Sequence, residues 1–251
     1  MRDIFRELSS LGLKVFTNDQ AKGIATQLGY RPEYVAEALF HLLGNDWVVR
    51  IKKGVYGVSV NSGLGSSPHE FERAMSIAPF SAISHWTAMH YHHMTQQTPN
   101  IVFASTSDRC PRVCGSSKSM YHFIKVKKEK FFGIENIWID DAQVQITDPE
   151  KTLLDGLISP QYCGDFQEVF HAFKMFGDQI NVERIVEYAL MLDHATIKRL
   201  GWVLDALGYK NRVISKLLRF PIKGYRKLDA SAPAKGIYNS KWMIQENIGS
   251  L

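Results

Sequence analysis

The sequence predicts an α+β fold in which strands and helices occupy largely separate stretches of the chain. Three observations predict it. Residues 1–60 combine three helical patterns with one hairpin pattern, residues 69–146 contain four strand-like runs, and the chain after residue 147 has helical spacing almost throughout. Of the 251 residues, 45% are hydrophobic and 22% charged, which is typical of globular proteins and excludes a disordered or fibrous chain.

The first 45 residues predict three helices. Their apolar residues recur at helical spacing and are Ile4, Phe5 and Leu8, then Ala21, Ile24, Ala25 and Leu28, then Val35, Ala38, Leu39, Leu42 and Leu43. Thr17 or Asn18 suits the N-cap of the second helix, Gly29 suits a left-handed end, and Pro32 suits the first turn of the third. The short turn between the second and third helices makes a helix-turn-helix.

A hairpin follows these helices. Residues 47–51 and 55–58 are short β-runs around the turn Lys52-Lys53-Gly54. Residues 1–60 are therefore predicted to form a winged helix-turn-helix, whose third helix enters the DNA major groove while the wing contacts the backbone. The candidate DNA-binding residues are Arg31, Tyr34, Glu37 and His41 on the third helix and Arg50, Lys52 and Lys53 in the hairpin.

The third helix leaves an alternative open. Glu33 and Glu37 carry charges that phosphates repel, although a carboxylate can also accept a hydrogen bond from cytosine N4. Winged helices serve as protein-docking and scaffold modules as well as DNA readers. The residue pattern alone is compatible with both uses.

Residues 61–68 are rich in Gly and Ser and are predicted to be a linker to a larger α+β domain over residues 69–251. Helices are predicted around residues 71–77 and 83–91, and strands at 100–105, 119–126, 137–139 and 143–146. Asp148 and Pro149 then suit the cap and first turn of a helix. The remaining helices are predicted at 165–176, 182–192, 194–208 and 211–219.

The net charge of +5 conceals an uneven distribution. Residues 109–131 hold 7 basic and 1 acidic side chains, residues 132–195 hold 3 and 12, and residues 196–251 hold 11 and 3. Such blocks are the footprint expected of a nucleic-acid-binding face, or of a face that docks an acidic partner. The basic surface predicted near the carboxyl terminus comprises Arg212, Lys216 and Arg219 on one helix face, followed by Lys223, Arg226 and Lys227.

No catalytic, cofactor or metal site is predicted. Cys110 and Cys114 supply only two of the four ligands of a structural zinc site, and His85, His90, His92 and His93 have no acidic or cysteine partner at ligand spacing. The enzymatic alternative is a nuclease in which carboxylates hold Mg²⁺ and the winged helix delivers the enzyme to DNA. Its candidate residues are Asp140, Asp141, Asp148, Glu150, Lys151 and Asp155.

The sequence has neither an apolar run long enough for a membrane span nor the apolar segment of a secretory signal after its first residues, MRDIFRELSS. Three cysteines are too few for a disulfide framework and suit a reducing compartment. A cytoplasmic protein is therefore expected.

Four stretches carry a resemblance to a known family. They are residues 50–58 (RIKKGVYGV), 84–89 (SHWTAM), 146–155 (ITDPEKTLLD) and 239–242 (NSKW), and they span nearly the whole chain. On these stretches the chain resembles the AbiEi family of type IV antitoxins, predicted transcriptional regulators of a viral defence system.

The resemblance implies a bacterial protein with two tasks. Its winged helix would bind double-stranded DNA at its own operator and repress the operon, and the larger domain would counter a nucleotidyltransferase-like toxin without forming a stable complex. A ligand-sensing repressor is a further reading, which predicts a pocket in the second domain.

Overall fold

The computed structural model describes residues 2–63, 67–109, 114–116, 119–210 and 212–249 of the chain. It confirms a mixed fold of helices and sheets. The helices are α1 (Arg2–Ser10), α2 (Asn18–Gln27), α3 (Tyr34–Gly44), α4 (Glu70–Ile77), α5 (His85–Tyr91), α6 (Pro149–Ile158), α7 (Phe166–Phe176), α8 (Val182–Leu190), α9 (His194–Ala206) and α10 (Ile214–Arg219). The strands are β1 (Val15–Thr17), β2 (Val48–Lys52), β3 (Val55–Val58), β4 (Ser81–Ile83), β5 (Ile101–Thr106), β6 (Cys114–Ser116), β7 (Ser119–Lys125), β8 (Ile134–Ile139), β9 (Ala142–Thr147), β10 (Arg226–Lys227), β11 (Ile237–Asn239) and β12 (Ile244–Glu246).

The amino-terminal module, from α1 to β3, packs three helices on a small antiparallel sheet of order β1-β3-β2. Strand β1 was not predicted, because three residues are too few to show an alternating pattern. It places Phe16 opposite Tyr56, with ring centroids 5.8 Å apart. The apolar positions predicted for the three helices are buried or partly buried, except Leu28, which is 40% exposed, and most of them form this core.

A six-stranded sheet of order β6-β7-β5-β4-β9-β8 follows the amino-terminal module. Strands β5 and β7 are parallel, as are β4 and β9, and the other neighbours are antiparallel. Helix α4 contacts both this sheet and the sheet of the amino-terminal module. The predicted helix over residues 83–91 begins only at His85, because residues 81–83 pair with β5 and β9 instead.

The carboxyl-terminal part packs helices α6 to α10 into one apolar core. Beside α9 lies a small sheet of order β10-β12-β11, in which β10 and β12 are parallel. The buried side chains of Trp242 and Ile244 belong to the helical core. This sheet was not predicted, because strands of two or three residues are defined by distant pairing partners rather than by local sequence.

Two regions bear on the predicted boundaries. Of the predicted linker, residues 64–66 lie outside the described residues, and Val60–Ser62 form a single 3₁₀ turn before them. Cys110, one half of the possible zinc pair, also lies outside them. Among the described residues, no helix combines the length and apolar character needed to cross a bilayer.

Candidate nucleic-acid interface

The hairpin of β2 and β3 contains three cations that were predicted to bind DNA. Two of them are exposed to solvent, and the third is bound within the protein. Arg50 and Lys53 are exposed. The Lys52 ammonium group instead donates a hydrogen bond to the backbone carbonyl of Ile77, at 3.0 Å, where α4 ends. Two of the three predicted hairpin cations are therefore free to meet a phosphate, and the third joins the hairpin to α4.

Local contacts fix the hairpin against α2. The hydroxyl of Thr17 accepts from the amide of Gln20, and the Thr17 amide donates to the Gln20 side chain, so the predicted N-cap becomes a capping box. The next amide, of Asn18, donates to the carbonyl of Gly54 at 2.9 Å. Gly54 has φ of +79°, a conformation that favours glycine in the hairpin turn. The turn and the start of α2 thus form one unit.

Helix α3 exposes a face that contains no lysine or arginine. Ala36, Glu37, Phe40 and His41 are exposed on it, and the Phe40 ring is 74% exposed. The carboxylate of Glu37 lies 3.9 Å from the His41 imidazole. The opposite face is buried and contains Val35, Ala38, Leu39 and Leu42. The exposed face can therefore accept hydrogen bonds and make apolar contacts, but it adds no fixed positive charge.

The start of α3 holds the remaining predicted contacts. Arg31 is exposed just before the helix. Tyr34 is half-buried and stacks on Tyr30, with ring centroids 5.4 Å apart. The Tyr30 hydroxyl donates to Asp3 at 3.1 Å, which raises the pKa of Tyr30. Arg31 is thus available to a ligand, whereas Tyr34 chiefly supports the turn before α3.

A groove of about 580 Å³ runs along α3 and is open to solvent. Its walls are mostly apolar, and Lys22 of α2 and Glu33 stand at its rim. The groove is also lined by Asn18, Pro32, Val35, Ala36, Leu39, Phe40, Leu43 and Tyr56. The groove makes the exposed Phe40 ring part of a continuous surface.

The second predicted basic surface is only partly helical. Helix α10 begins at Ile214, later than the predicted helix over residues 211–219, so Arg212 lies in the preceding turn. Its carbonyl accepts from both the amide and the hydroxyl of Ser215, at 3.3 and 2.7 Å. Arg212 is exposed there, and Lys216 and Arg219 are exposed on α10. The predicted start of this helix was therefore wrong.

Further along, the cations differ in their contacts. Lys223 and Arg226 are exposed, and the Arg226 guanidinium donates to the carbonyl of Tyr225 at 3.2 Å. The Lys227 ammonium donates to the carbonyl of Ala232 at 2.7 Å and is half-buried.

Two cations of the same basic block are buried. Lys198 is 2% exposed and donates to the carbonyls of Leu217 and Leu218 at the end of α10, at 2.9 and 2.8 Å. Burial lowers the pKa of Lys198. Arg199 donates to the carbonyl of Lys227 at 2.9 Å, and burial lowers its pKa as well. Both side chains serve the fold and not a surface.

The carboxylates considered for a nuclease do not converge. Asp148 caps α6 and accepts from the Tyr188 hydroxyl at 2.9 Å, which together with burial raises the pKa of Tyr188 to about 12. Glu150 accepts from the amide of Asn181 at 2.9 Å.

Two of the other carboxylates form ion pairs, Asp155 with Lys151 and Asp141 with Lys14. Within the described ranges, no three His, Cys, Asp or Glu side chains are grouped so that they could hold a metal.

Of the four histidines considered for a metal site, His85 is buried and the other three lie near one another. Helix α5 ends at Tyr91, so His90 and His93 do not share a helical face. With His92 they line an open cavity of about 720 Å³ beside α4. The His92 ring hydrogen-bonds the carbonyl of Thr147 at 2.8 Å. This cavity is the space in the second domain that a ligand-sensing repressor would need.

Sequence reasoning did not single out several exposed aromatic side chains, three of which lie near the predicted basic residues. Phe40 is exposed on α3, and Tyr225 and Tyr238 are 40% and 61% exposed near the carboxyl terminus. Tyr225 stands between Lys223 and Arg226 in the sequence. An aromatic residue among cations was therefore a signal that could have been found.

No family model matches the chain, and no curated protein matches it in sequence. Its fold is similar to that in the crystal structure of the RV2827C protein from Mycobacterium tuberculosis, with a TM-score of 0.66. The match covers 97% of this chain and 89% of the other at 13% sequence identity. At that identity the likeness shows the fold alone.

Proposed function

We propose that this chain is a cytoplasmic, non-enzymatic DNA-binding autorepressor, and that it is the antitoxin of a type IV toxin–antitoxin system in antiviral defence. The observation that carries the DNA-binding part is the hairpin of β2 and β3, which exposes Arg50 and Lys53 in the same module as α3. The element order α1-β1-α2-α3-β2-β3 supports a winged helix, in which β2 and β3 form the wing.

In this proposal the two parts of the module have different tasks. Arg50 and Lys53 neutralise phosphates, and the release of counterions makes this contribution dependent on salt but not on sequence. Helix α3 reads bases with Glu37, which accepts from cytosine N4, and with Phe40, which contacts a thymine methyl group. Because this face contains no lysine or arginine, the proposal assigns affinity mainly to the wing and specificity mainly to α3.

The different surroundings of Lys52 and Lys53 give a sharp test. The binding of the protein to a duplex from upstream of its own reading frame is measured by fluorescence anisotropy between 50 and 300 mM KCl. Lys53→Ala should weaken binding and reduce the slope of log affinity against log salt by about 0.9, the value for one phosphate contact. Lys52→Ala should leave that slope unchanged, because its ammonium is bound to the Ile77 carbonyl.

Lys174→Ala is the matched control, since Lys174 is exposed on α7 in the second domain. An unchanged slope in Lys53→Ala would remove the hairpin from the DNA interface. Absence of any duplex binding by the wild-type protein at 50 mM KCl would overturn the DNA-binding proposal.

The antitoxin part rests on the resemblance to the AbiEi family and needs its own experiment. A nucleotidyltransferase-like reading frame beside this gene is expressed from an inducible promoter, with or without this chain. Restored growth on co-expression is the expected result. Growth arrest that persists with the soluble chain present would contradict antitoxicity while leaving DNA binding untouched.

A further inference from the structure

The small carboxyl-terminal sheet packs one face on the helical core and exposes Tyr238 on the other. Strand β12 lies in the middle, and its Ile244 is fully buried in the helical core. The next residue, Gln245, is in register with Lys227 on one side and Tyr238 on the other. Because side chains alternate along a strand, this row lies on the face opposite Ile244, where Gln245 is 9% exposed and Tyr238 is 61% exposed. The outer face therefore carries a tyrosine in a fixed place.

Two tyrosine rings stand together on this face. The centroids of Tyr225 and Tyr238 are 4.8 Å apart, with ring planes at 63°. The rings are 40% and 61% exposed, although each ring carries a large apolar surface. The Tyr238 hydroxyl accepts a long hydrogen bond from Gln245, at 3.4 Å. The pair is therefore held on the sheet with ring surface open to solvent.

Three exposed cations stand beside the two tyrosines in the chain. Lys223 and Arg226 flank Tyr225, and Lys235 lies three residues before Tyr238. The Arg226 guanidinium donates to the Tyr225 carbonyl at 3.2 Å, which keeps it beside that residue although Arg226 is in register with Ile244. We refer to the two rings and these three cations as the tyrosine surface.

The two acidic residues between positions 212 and 249 do not neutralise it. Asp229 is buried and accepts from Ser231, and Glu246 accepts from Trp202 at 2.6 Å and from Asn239 at 2.9 Å.

We propose that the tyrosine surface binds single-stranded nucleic acid, with bases stacked on the rings and phosphates beside the cations. Exposed aromatic rings within a cationic surface are the combination by which proteins bind single strands. A duplex cannot use the rings in this way, because its bases are already stacked on each other. The site therefore differs from the duplex site proposed for the amino-terminal module, and it goes beyond that function.

An acidic protein would satisfy the cations but would leave the ring faces without planar partners. Single-stranded nucleic acid satisfies both, since each nucleotide joins one planar base to one negative charge. The shared chemistry of RNA and DNA strands explains the surface equally well, so the experiment compares both.

The test uses the full-length protein and fluorescein-labelled twelve-nucleotide strands of uridine, adenosine or thymidine. Affinity is measured by anisotropy between 50 and 200 mM KCl. Double replacement Tyr225→Ala with Tyr238→Ala should weaken binding at least tenfold, because stacking of a single base on one ring is worth about 5- to 150-fold. Tyr238→Phe should bind as the wild type does, since it keeps the ring.

The cations have a separate signature. Lys223→Gln with Arg226→Gln should reduce the salt slope by about 1.4, at about 0.7 for each contact with a single strand. The tyrosine variants should leave that slope almost unchanged. Phe80→Ala is the matched aromatic control, because Phe80 is 67% exposed beside β4. Lys174→Gln is the matched charge control.

Three outcomes would overturn the proposal: no single-strand binding at 50 mM KCl, unchanged affinity in the double tyrosine variant, or equal competition by a polyglutamate peptide of the same charge. Stronger binding of uridine than thymidine strands would assign the surface to RNA, and the reverse would assign it to DNA. Lys53→Ala should weaken duplex binding and leave single-strand binding unchanged, so failure of one site is distinguishable from failure of the other.

Discussion

His85 is a buried histidine in a backbone conformation that histidine seldom adopts. It is 2% exposed and has φ of +54°. Its Nδ1 atom lies 2.9 Å from the hydroxyl of Ser84, which in turn lies 2.9 Å from the hydroxyl of Ser105. Burial lowers the pKa of His85 to about 4. The imidazole is therefore neutral in the folded protein over the physiological range.

This pKa makes stability depend on pH in a defined window. The unfolded chain protonates His85 near 6.5, whereas the folded protein resists protonation until about pH 4. Acidification between these values favours unfolding, by about 1.4 kcal/mol per pH unit and about 3 kcal/mol in all. His85→Asn, which tolerates the left-handed backbone, should flatten the dependence of unfolding free energy on pH by this amount in urea titrations.

The control for this prediction is His171→Asn, because His171 is exposed on α7. It should keep the wild-type pH dependence. Equal slopes in the wild type and His85→Asn between pH 4.5 and 6.5 would show that His85 is not the group responsible.

Lys151 and Asp155 form a buried ion pair on α6, with side chains 3% and 5% exposed. The Oδ2 atom of Asp155 has no hydrogen-bond partner among the described residues. Lys151→Met should cost about 3–5 kcal/mol of unfolding free energy, because it leaves a buried carboxylate without its cation. The double replacement Lys151→Met with Asp155→Leu should cost much less, as a double-mutant cycle in urea would show. Additive losses would mean that the pair does not interact.

At the scale of elements, helix α9 and the loop before β12 meet at a glycine. A methyl group at Gly201 would lie 2.6 Å from Cη2 of Trp242, whose ring is almost fully buried. Gly201→Ala should therefore destabilise the protein by about 1–3 kcal/mol through overpacking. Gly23→Ala is the matched control on α2, because nothing lies within 4 Å of its added methyl. Gly23→Ala should stabilise the protein by about 0.5–1 kcal/mol, because alanine is favoured over glycine inside a helix. The stability of both variants is measured by thermal unfolding.

Helix starts were predictable because their signals are local. Thr17 and Asp148 both cap the helices predicted from their sequences, and Gly29 has the left-handed φ of +81°. Most apolar positions of the first three helices were predicted from spacing and are buried for that reason. A capping side chain and an apolar stripe act within one turn, so a single sequence contains them.

Elements and charges fixed by distant residues were not predictable. Strand β1 exists because Val15–Thr17 pair with β3 some forty residues later in the chain. Charge counting could not distinguish Lys198, which is buried, from Lys216, which is exposed. The burial of each side chain depends on the helices that pack against it. Tyr225 among its cations could be seen in the sequence, but the strand pairing of β12 that accompanies its contact with Tyr238 could not be predicted.

At the scale of the whole molecule, fewer basic side chains are available to a ligand than the residue counts of the charge blocks suggest. Many of the described cations donate to carbonyls or carboxylates of the fold, among them Lys14, Lys52, Lys125, Lys130, Lys151, Lys198, Arg199, Lys227 and Lys241. The net charge of +5 is therefore a poor guide to what the chain binds. What matters is which cations remain exposed beside groups that can recognise a ligand, as on the hairpin and the tyrosine surface.

The amino-terminal module and the sheet that follows it have separate apolar cores but share α4 and one side chain. Ile51 of β2 packs against the core under the six-stranded sheet, while its strand belongs to the first module. Lys52 bonds the end of α4, and Lys14 pairs with Asp141. A module of about 60 residues buries little surface by itself, so these contacts should add materially to its stability.

The wild-type protein should therefore unfold as one unit, and Ile51→Ala should separate the two parts. The loss is expected to be about 1–2 kcal/mol, below the 2–5 kcal/mol of a fully buried isoleucine, because Ile51 is only half-buried. Amide hydrogen exchange in low urea is the measurement, since it reports α2 and α3 separately from β5 and β7. In Ile51→Ala the helices should exchange faster than the strands, while Leu13→Ala, which alters only the first core, should lower the protection of both together. If α2 and α3 already exchange independently of β5 and β7 in the wild type, the contacts of α4 and Ile51 do not couple the two parts.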